Sequence, residues 1–502
     1  MEVPTSLPRT TIVDPVHGHI PLTDTEYRIL QVPSFMRLHR VKVNGLAYLV
    51  FPNAVTSRFV HCVGTMHVAG KMITSILQKM DRNTYKNLFG DEKVEYVIGV
   101  VRLAAMLHDI GHGPFSHASE NIMRKTLKKS ENEEAMRLFS LTGNTLIPTH
   151  EYYSYKIINE DGEIDSILKE SKGLQFNKKD ISSVLFPRME GATSWTKTVH
   201  PIVSGYVDSD RFDYLLRDSY MTGAVYGNID IQRIIDGLSI KLVKPTNEYT
   251  ISFHIKSLGS IEDMQDSRLK MYKWVYGHSL VVLVDKMGEE ALKKLTDVGK
   301  LPSKFFNWKE FVKGKSYDDE AIGVFSKQDF SRKESQPFRG IIDRRYLPIS
   351  LFKRPYDYDE FVKDISEKIG FGRDLSYKDT VEKEISRWGK SVEEQESNSI
   401  PRKANRSIDI HLILSFQPRS PYTPKAKEDN IWIYSGNEIK EIMTEGLSSY
   451  FQAINKEWTQ FRPAYLGFLP LNAKGYRSEW KANYIKEIRE SLVEEISSHA
   501  KS

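Results

Sequence analysis

The ten residues from His108 to His117, His-Asp-Ile-Gly-His-Gly-Pro-Phe-Ser-His, put three imidazoles and one carboxylate into a single short stretch. Two glycines and a proline bend the backbone among them. Adjacent His108 and Asp109 offer a ring nitrogen and a hard oxygen, a donor pair suited to a divalent first-row metal or Mg²⁺. The preceding residues 100–107 are mostly apolar, so the decapeptide ends a core helix predicted over 92–108. A lone histidine in such a place is more often a capping or core residue. Three of them beside an aspartate and a Gly-Pro break point to chemistry. Metals take four to six ligands, so the other donors must come from elsewhere in the chain.

Helical spacing supplies the places to look. A second helix is predicted over 59–80, with His61 near its start and His67 on another face. Further helices are predicted from Asp24 to Val41 and over 150–160, 178–187, 197–222 and 260–297. Asp208, Asp210, Asp213 and Asp218 fall within eleven residues. Four carboxylates on one helical stretch are costly to bury unless a cation or hydrogen bonds compensate them. Residues 1–20 read as an extended arm, and 120–150 as a charged, solvated segment.

Beyond residue 300 the texture changes. Stretches 314–338 and 389–407 are rich in Lys, Glu, Ser and Gln, as in linkers or exposed loops. Strand-like alternation follows over 408–416 and 430–434, then an amphipathic helix is predicted over 436–458. The expected fold is mainly α, with a helical catalytic region over 1–330 and a smaller α+β C-terminal lobe over 331–502 that serves assembly or regulation.

Composition narrows the class. The chain has 502 residues, 40% of them hydrophobic, and a net charge of +5 set by 71 basic and 66 acidic side chains. That balance describes a globular protein and does not nominate nucleic acid as a partner. A single cysteine, Cys62, excludes an intrachain disulfide and a thiolate metal cluster. No basic-then-apolar leader and no apolar run of about 20 residues is present, so a cytoplasmic location without membrane contact is expected.

His61, the His108-Asp109 pair and Asp210 match, in order, the H…HD…D signature of HD-domain phosphohydrolases. The chain resembles more narrowly their dNTP triphosphohydrolase branch, which includes vertebrate enzymes with a sterile-alpha-motif domain. The likeness spans about residues 10–300 and is sharpest at Asp14–Ile20, Val50–Pro52, Arg58–His61, the decapeptide and Asp208–Tyr214. It implies an HD region that starts almost at residue 1, with no sterile-alpha-motif domain ahead of it. It implies a divalent ion (Fe, Mn, Ni, Zn or Mg) held by His61, His108, Asp109 and Asp210. Asp208 and Asp213 would then support the site from behind. Hydroxide activated by that ion would attack the α-phosphorus of a (deoxy)nucleoside triphosphate, releasing nucleoside and inorganic triphosphate.

The same resemblance assigns the surrounding residues. His117 is the expected general acid, His112 a phosphate contact and His150 a further active-site histidine. Arg58, Arg211 and Arg268 would meet the phosphates, with Arg211 standing where the family has a lysine. Tyr214, Asp218 and Tyr276 would hold the sugar. Homo-oligomers are expected. The alternative is an HD phosphohydrolase acting on another phosphoester, such as a nucleotide monophosphate or a nucleic-acid end.

The chain departs from the vertebrate pattern at definite positions. Val43 and Asn44 replace a Gln-Leu pair at the sugar, and Asn44 can hydrogen-bond a ribose hydroxyl. Gly277 stands where a glutamine meets the base. Gln31, Met36 and His39 replace the Asp, Gln and Arg of the guanine-specific activator site, so identical GTP activation is not expected.

Overall fold

The computed structural model describes residues 10–141, 146–170, 174–244, 246–297, 299, 301–302, 305–314, 321, 347–350, 355–373, 380–381, 383–384, 387, 410–416, 431–436, 438–441, 464–470, 490 and 493–501. The described residues are mainly helical, and the chain divides into two compact units. The first unit comprises Met1–Tyr276, Thr296–Ala321 and Tyr422–Ala453; the second comprises Gly277–Leu295, Ile322–Pro421 and Ile454–Ser502. The units interleave along the chain, whereas the sequence suggests a single divide near 330.

In the first unit, β1 (Thr10–Asp14) and β2 (Gly18–Leu22) form an antiparallel hairpin with Ile12 opposite Ile20. The expected extended arm is thus a paired element from Thr10 onward. Thr23 then caps the helix Asp24–Leu30 through a reciprocal box with Glu26. Pro33 splits the helix predicted to Val41 into that helix, a short helix Pro33–Met36 and a 3₁₀ turn Arg37–Arg40.

Five helices carry the candidate site: α1 (Arg58–Lys79), α2 (Val94–Leu107), α3 (Thr149–Glu160), α4 (Ser209–Thr222) and α5 (Leu258–Met271). Helix α1 has 22 residues, about 33 Å at 1.5 Å per residue. It packs against both α2 and α4. Met66, Ala69, Ile73 and Leu77 of α1 and Val97, Val101 and Ala104 of α2 are fully buried. Burying each such large aliphatic side chain contributes roughly 1.5–3 kcal/mol. The segment expected to be only charged surface, 120–150, contains helices Glu120–Thr126 and Lys129–Leu138 that bury Ile122, Met123, Ala135 and Leu138.

Two predicted helices are interrupted. The 197–222 stretch is a helix Ser194–Val199, a 3₁₀ turn carrying Pro201, and only then α4. Proline lacks the N–H that a continuous helix would need there. The 260–297 stretch is α5, a π-turn Tyr272–Tyr276, and a helix Ser279–Asp297. Such turns often sit at functional sites.

Strands β3 (Leu238–Val243) and β4 (Glu248–His254) pair antiparallel, without a forecast from the sequence. Of the other strands, β5 is Leu347–Ser350, β6 Ile410–Phe416, β7 Trp432–Ser435, β8 Glu438–Glu441 and β9 Ala464–Pro470. Strand β7 joins β4 in parallel, Ser252 opposite Trp432, and this pairing returns residues 432–441 to the first unit. Strand β8 overturns the start of the predicted 436–458 helix. Gly436, at φ 58°, makes the turn, and Glu438–Glu441 pairs back on β7. Residues 442–458, the predicted linker 389–407 and, apart from the buried Ala321, residues 315–338 of the other predicted linker lie outside the described residues. In the second unit, β5, β9 and β6 form an antiparallel sheet in that order, consistent with an α+β lobe. Among the described residues no helix is long and apolar enough to cross a membrane.

Candidate metal centre

Three of the four expected ligands converge. His61 on α1, His108 at the end of α2 and Asp210 in the first turn of α4 each offer a ligand atom, and these lie within 4.8 Å of one another. His61 Nε2 is 3.0 Å from Asp210 Oδ1, and His108 Nε2 is 3.7 Å from the same oxygen. The imidazoles are aimed by their other nitrogens. His61 Nδ1 donates to Asp213 Oδ2 at 2.7 Å, and His108 Nδ1 donates to the Ala105 carbonyl at 2.7 Å. Both Nε2 atoms therefore face the same space.

The donor set fits a divalent cation. His108 Nε2 is buried and makes no hydrogen bond among the described residues. Burial works against a charged His61, yet Asp210 and Asp213 override it and push the imidazole up to about 10. A point where a buried histidine is held charged is a point where the protein favours positive charge. Two imidazoles and a carboxylate suit several divalent ions, and the ligand types alone do not choose among them.

The fourth expected ligand, Asp109, stands at the edge of this cluster. Its Oδ1 is 3.4 Å from both His108 Nε2 and His112 Nε2, and its Oδ2 is 3.7 Å from His61 Nε2. Burial would raise its carboxyl, but Arg58, His108 and His112 hold it well below the usual carboxylate range. Arg58 pairs directly with Oδ2 and donates to Ser116 Oγ and the Val43 carbonyl. Its guanidinium is buried and committed to the protein, so its nearest partner is Asp109.

The decapeptide is held in an unusual shape. Phe115 and Ser116 have φ of 65° and 50°, the left-handed region that costs non-glycine residues of order 1–3 kcal/mol each. Ser116 Oγ in turn donates to the Lys42 carbonyl at 2.6 Å while accepting from Arg58. Gly111 is needed for a different reason. A Cβ there would lie 2.2 Å from the His150 carbonyl and 2.3 Å from Ser154 N. This close approach lets Ser154 Oγ accept from Gly111 N and donate to the His108 carbonyl. Arg37, fully buried, donates to the Ile110 and His112 carbonyls from below.

His112, His117 and His150 form a second cluster beside the first. His112 stacks on His150 at 4.0 Å, and His117 meets both edge-on. Burial and the Arg58 charge press His112 well below the normal histidine range. His150 goes the other way: burial opposes its charge, but Glu120 raises it. Glu120 Oε1 accepts from His150 Nδ1 at 2.8 Å, and Oε2 lies 3.5 Å from His117 Nδ1. His117 is 69% exposed, open to whatever enters the site.

Of the remaining expected residues, Arg211, Tyr214 and Asp218 lie on α4, Arg268 on α5, Tyr276 on the π-turn after it and Asn44 ahead of α1. Asp218 is buried and accepts from Tyr276 Oη at 2.8 Å and from Asn44. Burial lifts its carboxyl to about 6 despite those two donors. Tyr214 packs edge-on to Tyr276, and the π-turn presents Tyr276. Arg268 is buried with its guanidinium over the Tyr272 ring. Arg211 pairs with Asp208 at 2.5 Å, and Asp208 caps α4 by accepting from Arg211 N. The sequence reading missed Glu120, Arg37, Arg217 and His17. Glu120 stands three residues after His117 and Arg217 four after Asp213, helical spacings that could have flagged both.

Residues 58–181 match the family model of the HD domain. The chain is 28% identical over 431 residues to the uncharacterized protein MJ1154 of Methanocaldococcus jannaschii, covering 86% of this chain and 73% of that one. It is 31% identical over 294 residues to the uncharacterized protein YwfO of Bacillus subtilis, covering 57% of this chain and 56% of that protein. It is 28% identical over 305 residues to the human deoxynucleoside triphosphate triphosphohydrolase SAMHD1, covering 57% of this chain and 44% of that enzyme. A crystal structure of a hypothetical protein from Aquifex aeolicus shares the fold, with a TM-score of 0.63, 21% identity, and coverage of 96% and 99%. The chain carries an HD domain. The matched region spans about half the length of YwfO and of the human enzyme.

Proposed function

We propose that this protein is a metal-dependent hydrolase of (deoxy)nucleoside triphosphates that releases nucleoside and inorganic triphosphate. The observation that carries the reading is the adjacency, in one compact unit, of the His61–His108–Asp210 cluster and the His112–His117–His150 cluster. Asp109 lies between the two clusters. The likeness to a deoxynucleoside triphosphate triphosphohydrolase supports it. In this reading His61, His108, Asp109 and Asp210 hold a divalent ion. When bound, that ion supplies Lewis acidity and lowers the pKa of water.

The chain's own residues divide the remaining work. His117, exposed and steadied by Glu120, delivers a proton to the departing 5′-oxygen. Positive charge for the phosphates comes from His150, Arg268 and Arg211. His112 contacts phosphate as a neutral imidazole. Arg58 acts through Asp109, holding that carboxylate ionised. Asp218 accepts the sugar 3′-hydroxyl, beside Asn44 and Tyr276, with Tyr214 packing the ring. Assembly into homo-oligomers belongs to the same reading.

The test is a product-resolved assay with four dNTPs and four NTPs, singly and mixed, with Mn²⁺, Mg²⁺ and Fe²⁺. Nucleoside plus triphosphate is the expected product pair. Nucleoside monophosphate plus pyrophosphate would reject the bond assignment, and faster cleavage of oligonucleotides would favour a nucleic-acid end as substrate.

A further inference from the structure

Behind His61 lies a closed ring of buried polar groups that ties it to the N-terminal hairpin. Asp213 uses both oxygens twice. Oδ2 accepts from His61 Nδ1 at 2.7 Å and Arg217 Nε at 2.9 Å, and Oδ1 accepts from His17 Nε2 and Arg217 Nη2, each at 2.7 Å. Arg217 Nη1 donates to Asp14 Oδ2 at 2.8 Å. Asp14 Oδ1 then accepts from the backbone N–H groups of Val16 and His17, both at 2.9 Å, shaping the turn that carries His17. The path runs from Asp14 through its turn to His17, on to Asp213, and back through Arg217.

The ring is built rather than incidental. Asp14, Asp213 and Arg217 are 3%, 0% and 2% exposed. Helix α1 makes room with Gly64, where a Cβ would lie 1.9 Å from Asp213 Oδ1. A buried ion network of this kind is a poor way to gain stability, because desolvation offsets its attraction. It is a good way to fix orientation, and the one group it orients toward the metal centre is His61.

We propose that the hairpin Thr10–Leu22 is a lock on the metal centre, with His17 and Arg217 as positioning residues that fix His61 through Asp213. Metal binding and hairpin docking are then linked, each tightening the other. The inference rests on the reading of His61, His108, Asp109 and Asp210 as metal ligands.

The test uses the full chain and Mn²⁺, with free ion followed by electron paramagnetic resonance and amides of residues 10–22 by hydrogen exchange. Arg217→Gln and His17→Asn are expected to weaken Mn²⁺ binding by ~10–100-fold, the usual cost of losing outer-shell support. Ser34→Ala, which cuts the Ser34–Asp161 hydrogen bond away from the hairpin, keeps wild-type affinity. Mn²⁺ slows exchange of the hairpin amides in the wild type and leaves it unchanged in the two variants. Where Arg217→Gln fails to fold, His17→Asn and Asp14→Asn decide the matter. Folded variants with wild-type Mn²⁺ affinity overturn the lock alone. A wild type that binds no divalent ion overturns the metal reading beneath it.

Discussion

Replacing Gly111 by alanine tests how tightly the decapeptide is fitted to its neighbours. The added Cβ would meet the His150 carbonyl at 2.2 Å, Ser154 N at 2.3 Å and the Tyr153 carbonyl carbon at 2.7 Å. Ordinary contact begins at 3.4 Å, so the two backbones must separate by about 1 Å. These are main-chain atoms of α3, which cannot swing aside as a side-chain end can. Overpacking of this degree costs about 1–3 kcal/mol. The separation also draws His150 away from His112, now stacked at 4.0 Å, and strains the Ser154 bridge to His108. A misplacement near 1 Å costs about 100-fold in turnover. Gly113→Ala is the matched control, since its Cβ would meet only side-chain atoms of Met123 and Phe306 at 3.1–3.4 Å. Urea unfolding and steady-state turnover of a dNTP with Mn²⁺ supply the two readouts. Gly111→Ala with wild-type stability and turnover would refute the close-approach argument.

Asp210→Ala removes one member of the convergent cluster from a side chain that is 34% exposed, so folding is retained while metal uptake and turnover are lost, as metal analysis and circular dichroism can check. Glu120→Gln leaves His117 and His150 without their carboxylate and should lower kcat by ~10²-fold or more with little change in KM, measured by steady-state kinetics. Glu26→Gln breaks the buried, two-bond pair with Arg102 and should cost ~3 kcal/mol at pH 7 in chemical unfolding. Burial alone would raise the Glu26 carboxyl, but Arg102 holds it below its ordinary value of 4.5. Its stabilisation is therefore complete above pH 4.5 and is lost as pH falls through the lower folded-state value, so the gap between variant and wild type should close on acidification.

Much of the site was legible because its chemistry is concentrated in short motifs. His61, His108 and Asp210 come from three separate segments: the His108-Asp109 pair stands out by itself, while His61 and Asp210 are singled out from their neighbours only by the resemblance to the HD signature. Supporting residues were harder to read. Arg217 stands one helical turn from Asp213, but His17 looks like an ordinary turn residue, and only the fold brings it to that carboxylate across 196 positions of sequence. Periodicity found α1 and α2 to within a residue or two, since long helices with buried faces repeat their pattern many times. It ran through Pro201 and through the π-turn at Tyr272–Tyr276, where local backbone chemistry overrides an unbroken apolar rhythm. Strand β8 escaped because it has only four residues and follows a turn at Gly436, whereas β3 and β4, six and seven residues long, went unforecast, and β4 is joined by a partner from near residue 432. Arg58, which the resemblance makes a phosphate contact, lies beside the cluster with its hydrogen bonds running to Asp109 and Ser116.

Anomalous scattering from crystals of the full chain grown with Mn²⁺ addresses the metal assignment most directly. A single strong peak is expected, bonded to His61 Nε2, His108 Nε2 and an oxygen each of Asp109 and Asp210, with Asp213 still on the far side of the His61 ring. Density that leaves that space without a cation, or an Asp210 carboxylate rotated out of it, would contradict the account.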